Sequence, residues 1–404
     1  MLKETMLNDE FSADWDQLLT NYTWSPASYQ GLGNSVYSFI SYVAKATKVI
    51  FNISNVTSIS DDVKNRYIAE TKVLRAWFMY VLYDYHGAVN VETDPLKLFT
   101  FNSSPRPTTE AYLAQIEDDL ITAISDLSAR YNGDSTNWGR ISQGVAQMLL
   151  LKLYMINKQW DKAEAIAKNI MGMGYSLMPN YADVFNIEQN NELIYAVPAN
   201  SAGLDCWIRE VIPGDFAASE LLTAGAGCTG HYMPWGLYDK YENNDTRKTT
   251  IVTSYTNQHG KTVNRATGLR GAIPVKYTSI LNPGADYNVD VVVFRYAEVL
   301  LSLAEAINEQ RGPNDAYQYV NMVRARAGVS DFAGMKTAEF RAALQDERKR
   351  ELYCEGTHRQ DFIRQRVLIS NTIARNTSNA RLYRNLFPIQ GNSIVKPNTG
   401  IRSN

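Results

Sequence analysis

The 404-residue chain carries 40 basic against 42 acidic residues, a formal net charge of −2, so no global field argues for nucleic acid or an anionic membrane as partner. A hydrophobic fraction of 45% and a charged fraction of 20% are those of a globular protein with a sizeable core. No apolar run approaches the roughly 18 residues of a membrane helix, and three cysteines exclude a disulfide scaffold.

The N-terminus, MLKETMLNDEF, has no apolar signal core. That leaves either a cytosolic protein or one whose leader was removed before this numbering starts. From Tyr29 to Ile53, Val36, Phe39, Ile40, Val43, Thr47 and Ile50 recur at helical spacing. Asp61 or Asp62 can cap a second helix to His86, stopped by Gly87, with Val63, Tyr67, Leu74, Phe78, Val81 or Leu82 and Tyr85 as its stripe. Arg75 beside that stripe reads as a buried, paired arginine. Residues 88–107 form a long loop of the kind often given a function. A third helix starts at Thr108 or Thr109, its face Leu113, Ile116, Leu120, Ile124 and Leu127.

Ile141–Asn157 and Trp160–Met171 read as a helical hairpin with the small-residue and W-x-x-A pattern of a tetratricopeptide-type unit. Leu193, Tyr195 and Val197 alternate like a strand, and residues 199–236 show no period. Thr249–Tyr255 and Lys261–Arg265 can pair as a hairpin through Asn257–Gly260. Helices resume at Arg295. In Tyr296–Ile307, Glu298, Ser302, Glu305 and Glu309 form a narrow polar stripe on an otherwise apolar helix, which implies packing on more than one side. Gly312-Pro313 breaks it, a second helix ends at Gly328, a third spans Thr337–Cys354, and a short one runs to Arg366. Cys206 and Cys228 share the irregular segment and can pair only in an oxidising compartment; unpaired thiols are the simpler reading.

Chemical motifs are few. Gly225-x-Gly227-x-x-Gly230 lacks the strand before and the helix after that a dinucleotide site needs. Four scattered histidines show no metal-ligand spacing, and no G-x-S-x-G elbow occurs. Glu347, Glu351 and Glu355 at four-residue spacing near Arg348 and Arg350 read as ion pairs of a structural helix, not as opposed glycosidase carboxylates. What remains is aromatic and amide density in loops: Trp24, Phe99, Phe101, Asn102, Trp207, Tyr232 and Trp235, with Arg209. Rings that stack on sugar C–H faces beside groups that hydrogen-bond hydroxyls are the chemistry of glycan binding. Trp24, Phe101, Asn102, Trp207, Arg209, Tyr232 and Trp235 are therefore the expected ligand-binding residues.

Several blocks resemble one family: Leu74-Arg75-Ala76-Trp77 through Gly87, Ile116 to Ala123, Leu237-Tyr238 to Arg247, Arg295–Ala306 with Val323–Gly328, Glu347-Arg348 through Arg364, and Leu386–Ile389. In this order they resemble the SusD/RagB family of surface glycan- and nutrient-binding lipoproteins of Bacteroidetes outer membranes. Thr47, Cys354, Thr357 and Gln390 depart from its usual pattern. The resemblance implies a mainly α fold, a tetratricopeptide-like helical-hairpin scaffold with an inserted irregular, short-strand region. It implies one domain over 1–404, with a helical-repeat part at 29–185, the insert at 186–290 and a C-terminal helical part at 291–404. It further implies a lipidated cysteine preceding this numbering, an outer-membrane cell-surface location, and a lid role on a SusC-like TonB-dependent transporter. Ligand residues are not shared across such a family, so none is carried over. The expected function is capture of an oligosaccharide with no cofactor, no metal and no catalysis. A peptide-binding member, a glycosidase and a pure interaction scaffold are the rivals.

Overall fold

The computed structural model describes residues 22–25, 33–98, 105–199, 212–216, 232–277, 290–370, 379 and 381–389. Two compact units interleave along the chain. The smaller takes Asn21–Arg130, Arg140–Leu153 and Thr377–Asn404; the larger takes Met1–Thr20, Tyr131–Gly139 and Tyr154–Asn376.

The smaller unit is built on helices α1 (Gly33–Ser54), α2 (Asp61–His86) and α3 (Thr109–Ala123), with α2 packed between the other two. A helix flanked on both sides buries more than one face. Its buried apolar residues are Ala69, Val73, Ala76, Met79, Tyr80 and Leu82, whereas Tyr67 of the expected stripe is 40% exposed. Ser60, not Asp61, takes the N-cap position. Asp61 and Asp62 sit in the first turn, where the helix dipole favours their charge. Thr108 caps α3 through its side chain, and Gly87 ends α2 at φ 74°. Arg75 is buried as expected. It grips Asp119 with two bonds of 2.8 and 2.6 Å and donates a third to Thr47 Oγ1.

Helix α4 (Gln143–Ile156) divides between the units after Leu153. In the larger unit, α5 (Trp160–Met171), followed in the chain by the single turns α6 (Asp183–Asn186) and α7 (Trp235–Tyr238), packs on α8 (Tyr296–Arg311), which also meets α9 (Tyr317–Arg326) and α10 (Thr337–Glu351). Every residue of α8 from Tyr296 to Asn308 is buried, as its sequence demanded. Its polar stripe is met by cations. Ser302 accepts from Arg348, Glu305 holds Arg364 at 2.6 and 2.7 Å, and Glu309 holds Arg341 at 2.6 and 2.9 Å.

The irregular region is pinned by short strands. Strand β1 (Leu193–Val197) pairs antiparallel with β6 (Val291–Arg295), which runs straight into α8. Strands β2 (Ile251–Val252) and β5 (Ile273–Pro274) make a second pair, and β3 (Ser254–Thr256) with β4 (Thr262–Asn264) forms the expected hairpin. Helix α10 stops at Glu351, three residues short of the expected end, because the chain turns through Cys354 at φ 58°. Burial pushes the Cys354 thiol up to about 12, so it stays protonated and inert. A short helix α11 (His358–Arg364) follows. Cys206 and Cys228 lie outside the described residues.

The three glutamates at and beyond the end of α10 hold the larger unit together. Glu351 accepts from Arg247 at 3.1 Å, from Arg295 at 2.5 Å, and from Arg326. Glu347 takes Arg247, Arg324 and Arg350, each at 2.6 Å. Glu355, already off the helix, takes Arg295 and Lys276 at 2.5 Å. Burial alone would raise these carboxyls. The surrounding arginines outweigh it, holding Glu347 down at about 2 and Glu351 and Glu355 below the usual range. These carboxylates are thus charged and fully engaged, as structural ion pairs are.

Truncating one partner of a buried pair strands the others without compensation, at about 3–5 kcal/mol. Glu351→Ala should lose that much stability in urea unfolding; a variant within about 1 kcal/mol of wild type would remove the network from its structural role. The acid limb follows from the same carboxylates. Because the folded-state value of Glu347 lies below its unfolded 4.5, its contribution is complete above pH 4.5 and drains as pH falls toward about 2. Circular dichroism against pH should show stability flat above pH 5 and falling steeply below about 4.5.

Candidate functional site

Pro234 is the hinge of the one expected aromatic cluster that the described residues contain. Just before it, Met233 and Ala272 exchange backbone bonds of 2.8 and 2.9 Å. That approach demands glycine at 271: a Cβ there would lie 2.3 Å from the Met233 carbonyl oxygen and 2.8 Å from Tyr232 Cβ. After Pro234 the chain enters the single turn α7 (Trp235–Tyr238).

Trp235 is fixed on two sides. Its indole N–H donates to the Leu269 carbonyl at 3.0 Å, and the Tyr238 ring meets it edge-on with centroids 5.8 Å apart. The Arg265 guanidinium lies over the indole, 5.0 Å from its centroid, and pairs with both oxygens of Asp239 at 3.0 and 3.2 Å. The side chains of Arg265 and Asp239 are 57% and 51% exposed. Arg265 is placed by a short turn that Asn264 caps in a reciprocal box with Thr267. The exposed cation and carboxylate therefore cover a partly buried indole that packs against the core of the larger unit, with Lys248 over Tyr238 at 5.1 Å beside them. Sequence reasoning named Trp235 but missed Arg265 and Asp239, which lie 30 residues and four residues away and carry no motif.

Tyr232 is partly buried. Burial first, and the neighbouring Asp215 carboxylate second, push its phenol up. Asp215 accepts from Tyr255 at 2.8 Å and from Asn257 at 3.3 Å, and the Phe216 and Tyr255 rings lie 5.0 Å apart. Tyr232 thus borders a hydrogen-bonded tyrosine–aspartate set and joins Trp235 through Met233 and Pro234.

Trp24 is different. It is 3% exposed, its ring packed between Tyr22 at 4.7 Å and Phe387 at 5.3 Å, and Arg384 donates to its carbonyl. A ring so enclosed offers no face to a ligand, and the expectation of a binding role for it is corrected to one of core packing. Phe101, Asn102, Trp207 and Arg209 lie outside the described residues.

The smaller unit adds a feature that sequence reasoning missed. A cavity of about 140 Å³ is lined by Lys48, Phe51 and Asn52 of α1 and by Pro95 and Leu98, just before Phe101 and Asn102 in the chain. Phe51 is 43% exposed, and the Asn52 carboxamide has no protein partner among the described residues. Asp94 shapes the approach by accepting from the Leu96 amide and pairing with Lys97. No sequence signal marked it: Phe51 stands four residues after Thr47 and eight after Val43, on the spacing of the stripe that α1 buries, and only its exposure sets it apart. No group of His, Cys, Asp and Glu with metal-holding geometry occurs among the described residues.

The SusD family model matches residues 231–386. SusD-like protein P25 of Formosa agariphila is 27% identical over 368 residues, covering 81% of this chain and 69% of that protein. The starch-binding protein SusD of Bacteroides thetaiotaomicron is 24% identical, covering 93% and 78%. Among solved structures, surface glycan-binding protein A of B. thetaiotaomicron in complex with laminarihexaose superposes with a TM-score of 0.80 at 20% identity, covering 100% of this chain and 93% of that one. At that identity the superposition establishes the shared fold.

Glycine at 271 is the steric key to Tyr232 and Trp235. Gly271→Ala should break the Met233–Ala272 bridge and cost about 1–3 kcal/mol, as overpacking does. Red-shifted tryptophan emission with a lowered melting temperature would register it; a spectrum and melt identical to wild type would show the close approach to be dispensable.

Proposed function

We propose that the chain is a member of the SusD/RagB family, to which its similarities point, and that it captures an oligosaccharide at the cell surface and passes it to a SusC-like TonB-dependent outer-membrane transporter. No bond is made or broken and no cofactor takes part. The observation that carries this reading is the surface of Trp235, Arg265 and Asp239. A fixed indole supplies a flat apolar platform, while the exposed guanidinium and carboxylate beside it supply donors and acceptors for hydroxyls.

A sugar ring needs both kinds of group at once, because its C–H faces are apolar and its rim is polar. Stacking on Trp235 requires the Arg265 side chain to swing aside or to share the indole. Its 57% exposure makes that movement cheap, since an exposed ion pair is worth only about 0–1 kcal/mol. Phe51 with Asn52, whose carboxamide has no partner among the described residues, repeats the pattern of ring plus amide in the smaller unit. Phe101, Asn102, Trp207 and Arg209 are proposed as further contacts on the chemistry of their side chains. The starch-binding relative and the laminarihexaose-bound structural neighbour support a glycan as the ligand class. Attachment through a lipidated cysteine belongs to the same proposal; among the described residues no helix is long and apolar enough to cross a membrane.

Affinity electrophoresis against starch, laminarin and other plant and host polysaccharides tests the reading. At least one polysaccharide should retard the protein, and Trp235→Ala should weaken it about tenfold, or about 1.4 kcal/mol. Phe51→Ala reports on the second surface in the same gel. Absence of retardation by every polysaccharide, with measurable binding of peptides in calorimetry, would replace the glycan by a peptide.

A further inference from the structure

Lys158 occupies the left-handed backbone region at φ 56°, just past the end of α4. Its amide bonds the Met155 carbonyl and the next amide bonds that of Tyr154, the arrangement of a helix C-terminus that glycine usually serves. A lysine held there keeps a side chain where the backbone alone favours none.

That side chain borders a cleft of about 250 Å³. Four elements of the larger unit surround it: Trp160 at the start of α5, Glu305 and Glu309 of the α8 polar stripe, Arg341 of α10, and Arg364 with Gln365 at the end of α11. The volume falls below the roughly 300–1,000 Å³ of pockets for drug-sized molecules, so it suits a single ring.

The lining is rich in unused donors. Arg341 spends Nε and Nη2 on Glu309, and Arg364 spends the same two atoms on Glu305 and Asp361. The Nη1 groups of both, the Trp160 indole N–H, the Lys158 ammonium and the Gln365 carboxamide have no protein partner among the described residues. Each arginine is balanced by a glutamate, whereas the exposed Lys158 has no carboxylate partner among the described residues. A cleft with spare N–H donors, one unbalanced cation and an aromatic wall favours an anionic, acceptor-rich ring.

We propose that this cleft binds one carboxylate-bearing, sugar-sized ligand, its carboxylate on Lys158 and its ring against Trp160. None of its lining residues belongs to the surfaces assigned to oligosaccharide above, so the two sites fail or stand separately.

Calorimetric titration of the full chain with glucuronate and with glucose decides it. Glucuronate should bind at least about tenfold tighter than glucose, and added salt should weaken it. Lys158→Gly should keep the melting temperature, since it relieves the left-handed residue, yet lose about tenfold in glucuronate affinity; Lys158→Arg should retain it. Trp160→Ala should weaken glucuronate further, while Trp235→Ala leaves it unchanged. The proposal is overturned if glucuronate shows no saturable binding at tens of millimolar, if glucose binds equally well, or if Lys158→Gly binds glucuronate as wild type does.

Discussion

Burial of Glu347, Glu351 and Glu355 is the constraint on which the larger unit depends. Three carboxylates taken out of water near the end of one helix would repel each other and shed their charge unless cations met them. The chain supplies Arg247 from the irregular region, Lys276 beyond β5, Arg295 at the end of β6, Arg324 and Arg326 on α9, and Arg350 on α10 itself. Apart from Arg350, these cations stand 23 to 104 residues from the glutamates they meet, so the cluster is largely a set of long-range clamps. Such pairs add little net stability over an apolar core, but any wrong arrangement strands a charge, which favours one arrangement over its competitors.

The clamps explain how an irregular segment can carry a positioned surface. Arg247 is held by Asp245 through two bonds of 2.9 and 2.8 Å and by Glu347. Tyr241 donates to the Arg350 carbonyl, and Tyr181 donates to that of Glu351. Trp235 stands one short turn from Tyr241, so its orientation is inherited from the helical scaffold rather than from local regularity. Loops fixed in this way can vary at their tips without loss of the frame, the general arrangement of binding sites on rigid scaffolds.

The α8 stripe shows how one pattern serves two ends. Ser302 and Glu305 point to arginines of the scaffold, while Glu305 and Glu309 also line the cleft beside Lys158 and Trp160. An arginine pinned by a bidentate glutamate keeps one nitrogen free, so structural pairing leaves donors that are already oriented.

Much of the frame was legible in the sequence. The periodicity located α2, α3, α5 and α8, glycines 87 and 312 marked the ends of α2 and α8, and the fully buried character of α8 followed from an apolar run broken only by a narrow stripe. Spacing anticipated charge pairing of Glu347 and Glu351, but only the Arg350–Glu347 pair lies within the helix, whereas Glu351 is met by Arg247, Arg295 and Arg326 from across space. Local signals of this kind depend on residues within a turn or two of each other. The rest depended on what lies across space. Which face of α2 is buried was set by helices on both its sides, Trp24 was enclosed by Phe387 from the far end of the chain, and α10 ended early where Cys354 turned left-handed. Arg265 reached Trp235 only through a capped turn and a close glycine contact, and Lys158 met Trp160, Arg341 and Arg364 only because four elements converge. Sequence spacing encodes the elements because their hydrogen bonds are local. Tertiary packing alone decides which side chains are exposed, and exposure is what makes a residue a site.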